Sequence, residues 1–156
     1  MIRSKGQPVR SPSSTDFYKP RRILAGRLKL GDDLLPEITS LCRKNNISTG
    51  YLSIIGAVRN ARLGYYNQAK RSYTGCVKFR RKLEIASCAG NISLKDGEIF
   101  VHLHIVLAGL DGKAFGGHLM PGTEVFAAEY FIMELAGKKL HRVKDPSTGL
   151  PLWSLK

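Results

Sequence analysis

The sequence predicts a single compact α+β domain, a largely antiparallel sheet with one main helix packed on it. Three observations carry this. Only one stretch, residues 34–42, repeats its apolar residues at helical spacing. Most of the later chain reads as short strand-like runs bounded by glycines and Asp-Gly pairs. The chain has 156 residues, 43% hydrophobic and 24% charged, the size and balance of one folded domain with a real core.

Residues 1–20 read as a flexible polar and basic tail, with Gln7-Pro-Val-Arg-Ser-Pro-Ser-Ser-Thr15 showing no apolar period. Lys19-Pro20-Arg21-Arg22 lacks the Arg-Gly-Arg-Pro core of an AT-hook and reads as the lead-in to a strand. The folded domain is expected over residues 21–145, followed by a C-terminal segment, residues 146–156. Ile23 to Leu28 is the first strand. Gly31-Asp32-Asp33 then forms a turn and helix N-cap, with acids at the positive end of the dipole. Pro36 falls in the first turn, where its missing N–H matters least. Leu34, Leu35, Ile38, Leu41 and Cys42 mark the buried face, and Arg43-Lys44-Asn45-Asn46 closes the helix.

Two strands, Tyr51–Ile55 and Ala61–Tyr66, lie on either side of Gly56, and residues 68–72 read as an exposed connection. Residues 83–94 read as strand, a turn at Gly90-Asn91, then strand. Asp96-Gly97 is a hairpin signal, Glu98 to Leu110 a long strand, and Asp111-Gly112 a second turn. Residues 125–135 are apolar, and alternation of Phe126, Ala128, Tyr130, Ile132 and Glu134 favours strand over helix. His141-Arg142-Val143 reads as a last edge, and Asp145–Gly149 as a turn.

Cys42, Cys76 and Cys88 are odd in number and never spaced C-x-x-C. That argues against a disulfide framework and fits a reducing compartment, each thiol being expected as a small buried apolar group. No run reaches the ~20 apolar residues that span a bilayer, and the first ten residues have no apolar core of a secretory signal. Cytoplasm is the expected location, with no membrane partner. The charge is uneven: 25 Lys+Arg against 12 Asp+Glu, a formal +13. Between Glu37 and Glu84 there is no acid, while ten bases fall there. Such a field attracts polyanions and also simply solubilises. Arg59, Arg62, Lys70 and Arg71 are the candidate nucleic-acid contacts, with Tyr65, Tyr66, Tyr73 and Phe79 interleaved as rings that either stack on bases or pair across a hairpin.

Three of the four histidines lie within seventeen residues. Val101-His-Leu-His-Ile105 puts His102 and His104 on one face of a strand and Leu103 on the other. The Asp111-Gly112 turn brings the next strand back alongside, so that His118 lies across from the pair. Gly116-Gly117 removes side chains there and lets backbone come close. Three converging imidazoles suit a divalent transition metal, zinc before copper, nickel or iron. They leave a fourth position for water or substrate. The competing reading is a set of buried, hydrogen-bonded histidines. Hydrolysis would also need a general base, for which Glu84, Glu124 and Glu129 are candidates by sequence proximity alone. His141, among Lys138, Lys139 and Arg142, reads as a surface residue. There is no Walker A loop, no G-x-G-x-x-G after a strand, no H-E-x-x-H and no G-x-S-x-G.

Arg27-Leu-Lys-Leu-Gly-Asp-Asp33, Ser53-Ile-Ile-Gly-Ala57, Leu83-Glu-Ile with Gly90, His102-Leu-His104 and Gly116-Gly-His-Leu119 together resemble the plant and prokaryote conserved (PPC) domain, over roughly Arg22 to Leu140. In plants this domain follows AT-hooks in nuclear proteins; in prokaryotes it stands alone. The resemblance implies an α+β domain, a homotrimer, and metal at His102, His104 and His118. It implies no established reaction. Its DNA-binding label leans on AT-hooks that this sequence lacks. The expected function is therefore a metal-containing trimeric module that binds DNA, another polyanion or a partner protein. The alternative is a zinc-dependent hydrolase or lyase acting on a small anionic substrate; a third reading makes the metal a purely structural lock on the hairpin.

Overall fold

The computed structural model describes residues 15–154, so most of the expected tail lies outside the described residues. Its elements run β1 (Lys19–Leu28), α1 (Leu34–Lys44), β2 (Gly50–Val58), β3 (Ala61–Asn67), β4 (Ser72–Phe79), β5 (Leu83–Lys95), β6 (Glu98–Ala108), β7 (Ala114–Leu119), β8 (Val125–Ala136), β9 (His141–Lys144) and β10 (Pro151–Trp153). The sheet order is β1-β8-β2-β5-β6-β7-β3-β4. Strands make up 61% of the described residues, so the fold is more sheet-dominated there than the expected α+β class, with one short helix.

All pairings are antiparallel except that of β9, which runs parallel to β5 through Leu94 and Lys95 and pairs with β10 on its other side. β2 ends its pairing with β5 at Gly50↔Ile92, and β9 takes over the edge just beyond.

The helix forms where its spacing predicts. Leu34, Ile38 and Cys42 are buried on one face, against a core that includes Leu52, Ile54, Leu103, Ile105 and Ile132. Asp33 holds the N-cap position, but its side chain makes no cap bond. Its carboxylate instead accepts from the Gly122 and Thr123 amides, at 2.6 and 3.3 Å. This fastens the start of the helix to the loop before β8.

β1 begins at Lys19, and Arg21 and Arg22 are held by the buried carboxylate of Glu134 on β8. Gly56 lies inside β2 at a bulge rather than between strands. The expected turn at Gly90-Asn91 does not exist: β5 runs unbroken from Leu83 to Lys95. A Cβ at position 90 would sit 1.9 Å from the carbonyl oxygen of His102. Glycine is there because β6 approaches closely, not because the chain reverses.

The Asp96-Gly97 hairpin stands, with both residues at positive φ, 53° and 83°. β8 is a strand, but the alternation is offset at its start. A register shift against β2 at Ala57/Val58 buries Val125 and leaves Phe126 54% exposed. Cys42 and Cys88 are buried; Cys76, on the outer strand β4, is only partly so.

Candidate metal centre

β6 has a clear division of faces. Val101, Leu103, Ile105 and Leu107 are buried in the core beside the helix, while His102, His104 and Val106 face the other way. The strand period alone places the first two imidazoles together. The Asp111-Gly112 reversal then sets β7 beside β6 in a register that puts His118 opposite His104. Ring centroids are 5.2 Å apart for His102–His104, 4.9 Å for His102–His118 and 5.5 Å for His104–His118. One nitrogen from each ring lies within 4.8 Å of the others. A zinc ion held by all three would sit ~2.0–2.1 Å from each donor.

The chemistry of the donors fits a cation. His118 Nδ1 is buried with no hydrogen-bond partner, an orphaned lone pair or N–H of the kind native structures rarely leave. Burial, then the neighbouring His118, Arg142 and His104, push His102 down from 6.5 to about 4. Burial, then His104 and Arg142, lower His118 as well. Both are neutral near pH 7 and need not shed a proton to accept a metal.

The cluster opens on a pocket of about 930 Å³. Tyr66, Tyr73 and Phe100 give it aromatic walls, and Arg71, Lys95 and Arg142 give it cations. Tyr73 lies against His118, with centroids 5.2 Å apart. Arg142 comes from β9. Its Nη2 donates to His102 Nδ1 at 3.3 Å and to Asn91 Oδ1 at 2.7 Å. Its Nε donates to Ser93 Oγ at 2.8 Å and its Nη1 to the Pro151 carbonyl at 2.7 Å. Two further bonds clasp the β3–β4 turn to the C-terminal hairpin: Tyr66 Oη donates to the Thr148 carbonyl at 2.7 Å, and Arg71 Nη1 to the Pro146 carbonyl at 3.2 Å.

Among the described residues, no carboxylate lines this pocket. Glu84 is exposed, opposite Ala108 at the far end of β6. Glu124 is engaged by Arg59 and Asn60, and Glu129 is exposed on β8. The structure therefore corrects the three candidate bases: proximity in sequence did not put them at the histidines. His141 is exposed at the start of β9. The candidate nucleic-acid residues do not share one place. Arg59 and Arg62 line a separate cleft, Arg71 lines the histidine pocket, and Lys70 is exposed in the β3–β4 turn.

A Cβ at Gly117 would lie 3.2 Å from the Gly64 carbonyl oxygen, a tight contact; Gly116 and Gly117 both border the pocket. Sequence reasoning missed Arg142 as a site residue. Its only local signal was the short edge strand expected at His141-Arg142-Val143.

A model of the Plants and Prokaryotes Conserved (PCC) domain matches residues 15–136. Among solved structures, a metal-containing protein of Archaeoglobus fulgidus is 39% identical, with a TM-score of 0.85, covering 90% of this chain and 99% of that one. A plant- and prokaryote-conserved protein of Pyrococcus horikoshii is also 39% identical, with a TM-score of 0.83 and coverage of 90% and 96%. A candidate DNA-binding protein of Bacteroides thetaiotaomicron, 24% identical with a TM-score of 0.78, shares the fold over 90% of this chain and 99% of its own. A region of the bifunctional protein GlmU from a Synechococcus strain is 29% identical over 164 residues, covering 96% of this chain and 24% of that protein. This chain thus spans less than a quarter of the length of the curated relatives it matches.

Proposed function

Because the chain belongs to the Plants and Prokaryotes Conserved (PCC) domain family, we propose that it is a metal-holding member in which His102, His104 and His118 bind one divalent transition ion, best suited to zinc. The observation that carries this is the orphaned His118 Nδ1 within a three-imidazole cluster. The 39%-identical Archaeoglobus protein, itself described as metal-containing, supports it.

A three-histidine zinc site keeps an open position and supplies Lewis acidity there. This chain's residues would orient a ligand beside it. Arg142, fixed by three oxygen acceptors, and Lys95 supply positive charge, while Tyr66, Tyr73 and Phe100 supply aromatic walls. Such a lining favours a small anion. With no carboxylate lining the pocket among the described residues, binding is favoured over the hydrolase or lyase alternative. Cobalt substitution tests the site: an intense visible absorption of tetrahedral nitrogen-rich coordination is expected for the wild type and its loss for His104→Ala. An octahedral, weakly coloured spectrum unchanged by the substitution would refute the reading.

A second reading, polyanion binding, is favoured by the acid-free interval from residue 38 to 83 and the +13 charge. DNA affinity that stays level between low and moderate salt would count against it.

The homotrimer and cytoplasmic location belong to the same proposal. Among the described residues, no helix is long and apolar enough to cross a membrane. On the sheet face that bears the histidines, Ile23, Tyr51, Ile55 and Phe131 are exposed apolar residues, suited to burial against another copy. Sedimentation equilibrium should give three times the 17.3 kDa chain mass; a monomer mass would remove the trimer.

A further inference from the structure

We propose that the cleft between the start of β3 and the end of β4 is a phosphate-binding site built on Arg62, Lys78 and Arg80, separate from the histidine pocket. The inference rests on the polyanion reading and names the place where it acts.

Four observations converge. Arg62 and Lys78 are direct cross-strand partners in the β3–β4 pairing, and both line the cleft with Arg80. Like charges placed opposite one another in a ladder are destabilising, so a protein keeps such a pair at a cost unless an anion joins it.

Among the described residues, the cleft contains no spare anion of its own. Glu124 is the one lining carboxylate among them, and both its oxygens are occupied, by Arg59 Nη1 at 2.7 Å and Asn60 Nδ2 at 2.8 Å. Among the described residues, Arg62, Lys78 and Arg80 form no ion pair. Elsewhere a comparable basic pair, Arg21 and Arg22, is neutralised by Glu134.

Arg62 is also prepared for a ligand. Its Nε is buried with no hydrogen-bond partner, the second orphaned polar atom of functional interest in the fold. The side chain lies across Gly122, where a Cβ would come within 2.7 Å of Arg62 Cδ. Its backbone amide donates to Thr123 Oγ1 at 3.0 Å, and its carbonyl accepts from the Met120 amide at 3.0 Å. The guanidinium is therefore carried on a fixed stem.

The cleft, about 420 Å³, has room for a phosphate group and part of what bears it. Three cations that no acid pairs suit a doubly charged, multi-acceptor oxyanion better than a single carboxylate, and the guanidinium fork matches phosphate oxygens. A nucleic-acid backbone and a free phosphorylated small molecule share this chemistry.

The test uses the full chain as wild type, Arg62→Gln, Lys78→Gln, the double variant, and a charge-matched control, Lys138→Gln/Lys139→Gln, at exposed positions. Lys78 is exposed, so Lys78→Gln keeps the test open should the half-buried Arg62→Gln fold poorly. Inorganic phosphate binding is followed by phosphorus NMR, and binding of a short DNA duplex by anisotropy across salt concentrations. We expect the double variant to lose phosphate affinity at least roughly tenfold, and its DNA salt slope to drop by about two, with the control little changed. Loss of phosphate binding with DNA binding intact upholds the site and assigns it to a free phosphorylated molecule. DNA binding equally weakened by the control, or all proteins binding phosphate alike, overturns the site while leaving polyanion binding in place. A wild type that binds neither probe overturns both.

Discussion

His118 on β7 stands directly opposite His104 on β6 in the antiparallel register. This pairing, more than the His102/His104 alternation, makes the site, because it brings in a third ring from a different strand. It also makes the site dependent on the β6–β7 hairpin, so metal and fold should stabilise one another.

Removing the metal should lower thermal stability. An ion at one hundred times its dissociation constant stabilises by about 2.7 kcal/mol, equivalent to roughly 5–10 °C in a domain of this size. Scanning calorimetry before and after chelation, with zinc returned at the end, checks this. The loss should be absent in His118→Ala, and an equal chelator effect in that variant would show that the ion sits elsewhere.

The metal-free protein should weaken in mild acid. His102 titrates near 6.5 when unfolded and near about 4 when folded, its ring being penalised first by burial and then by His118, Arg142 and His104. Between those values the unfolded chain binds more protons, so stability falls as pH drops from 6.5 toward about 4 and is level above that window. The relevant quantity is the difference between wild type and His102→Gln, which cancels the shared carboxylates. The wild type should lose more stability over this range; parallel curves would contradict the assignment.

Arg142→Gln should raise the His102 pKa, measured by NMR on the metal-free protein, while leaving it below 6.5 because burial is the larger cause. The same change removes a charged donor to Asn91, Ser93 and Pro151 and should loosen the C-terminal hairpin. An unmoved His102 pKa would mean that the guanidinium does not act on the ring.

Gly90→Ala places a methyl group 1.9 Å from the His102 carbonyl. Overpacking of this kind costs about 1–3 kcal/mol, and because the displaced strand is β6, zinc affinity should fall with stability. Urea denaturation and a zinc competition assay measure the two. Wild-type values for both would show that β5 and β6 separate freely.

The histidine cluster was legible because every step to it is local: strand alternation for His102 and His104, and one short Asp-Gly reversal for His118. Arg142 was not legible, because β9 reaches β5 through a parallel pairing between residues distant in the chain, and no nearby pattern encodes that. Gly90 was misread since a glycine demanded by a neighbouring strand looks, in sequence, like one demanded by a turn. β4 gave little signal, for it is an outer strand carrying exposed residues such as Lys78 and Val77, so its pattern owes little to the core.

The most direct measurement is a crystal structure of protein purified without added metal, with anomalous data on both sides of the zinc absorption edge. The account predicts one peak, present only above the edge, within about 2.0–2.1 Å of a nitrogen from each of His102, His104 and His118. Three imidazoles with no anomalous peak between them, after zinc has been supplied in excess, would contradict it.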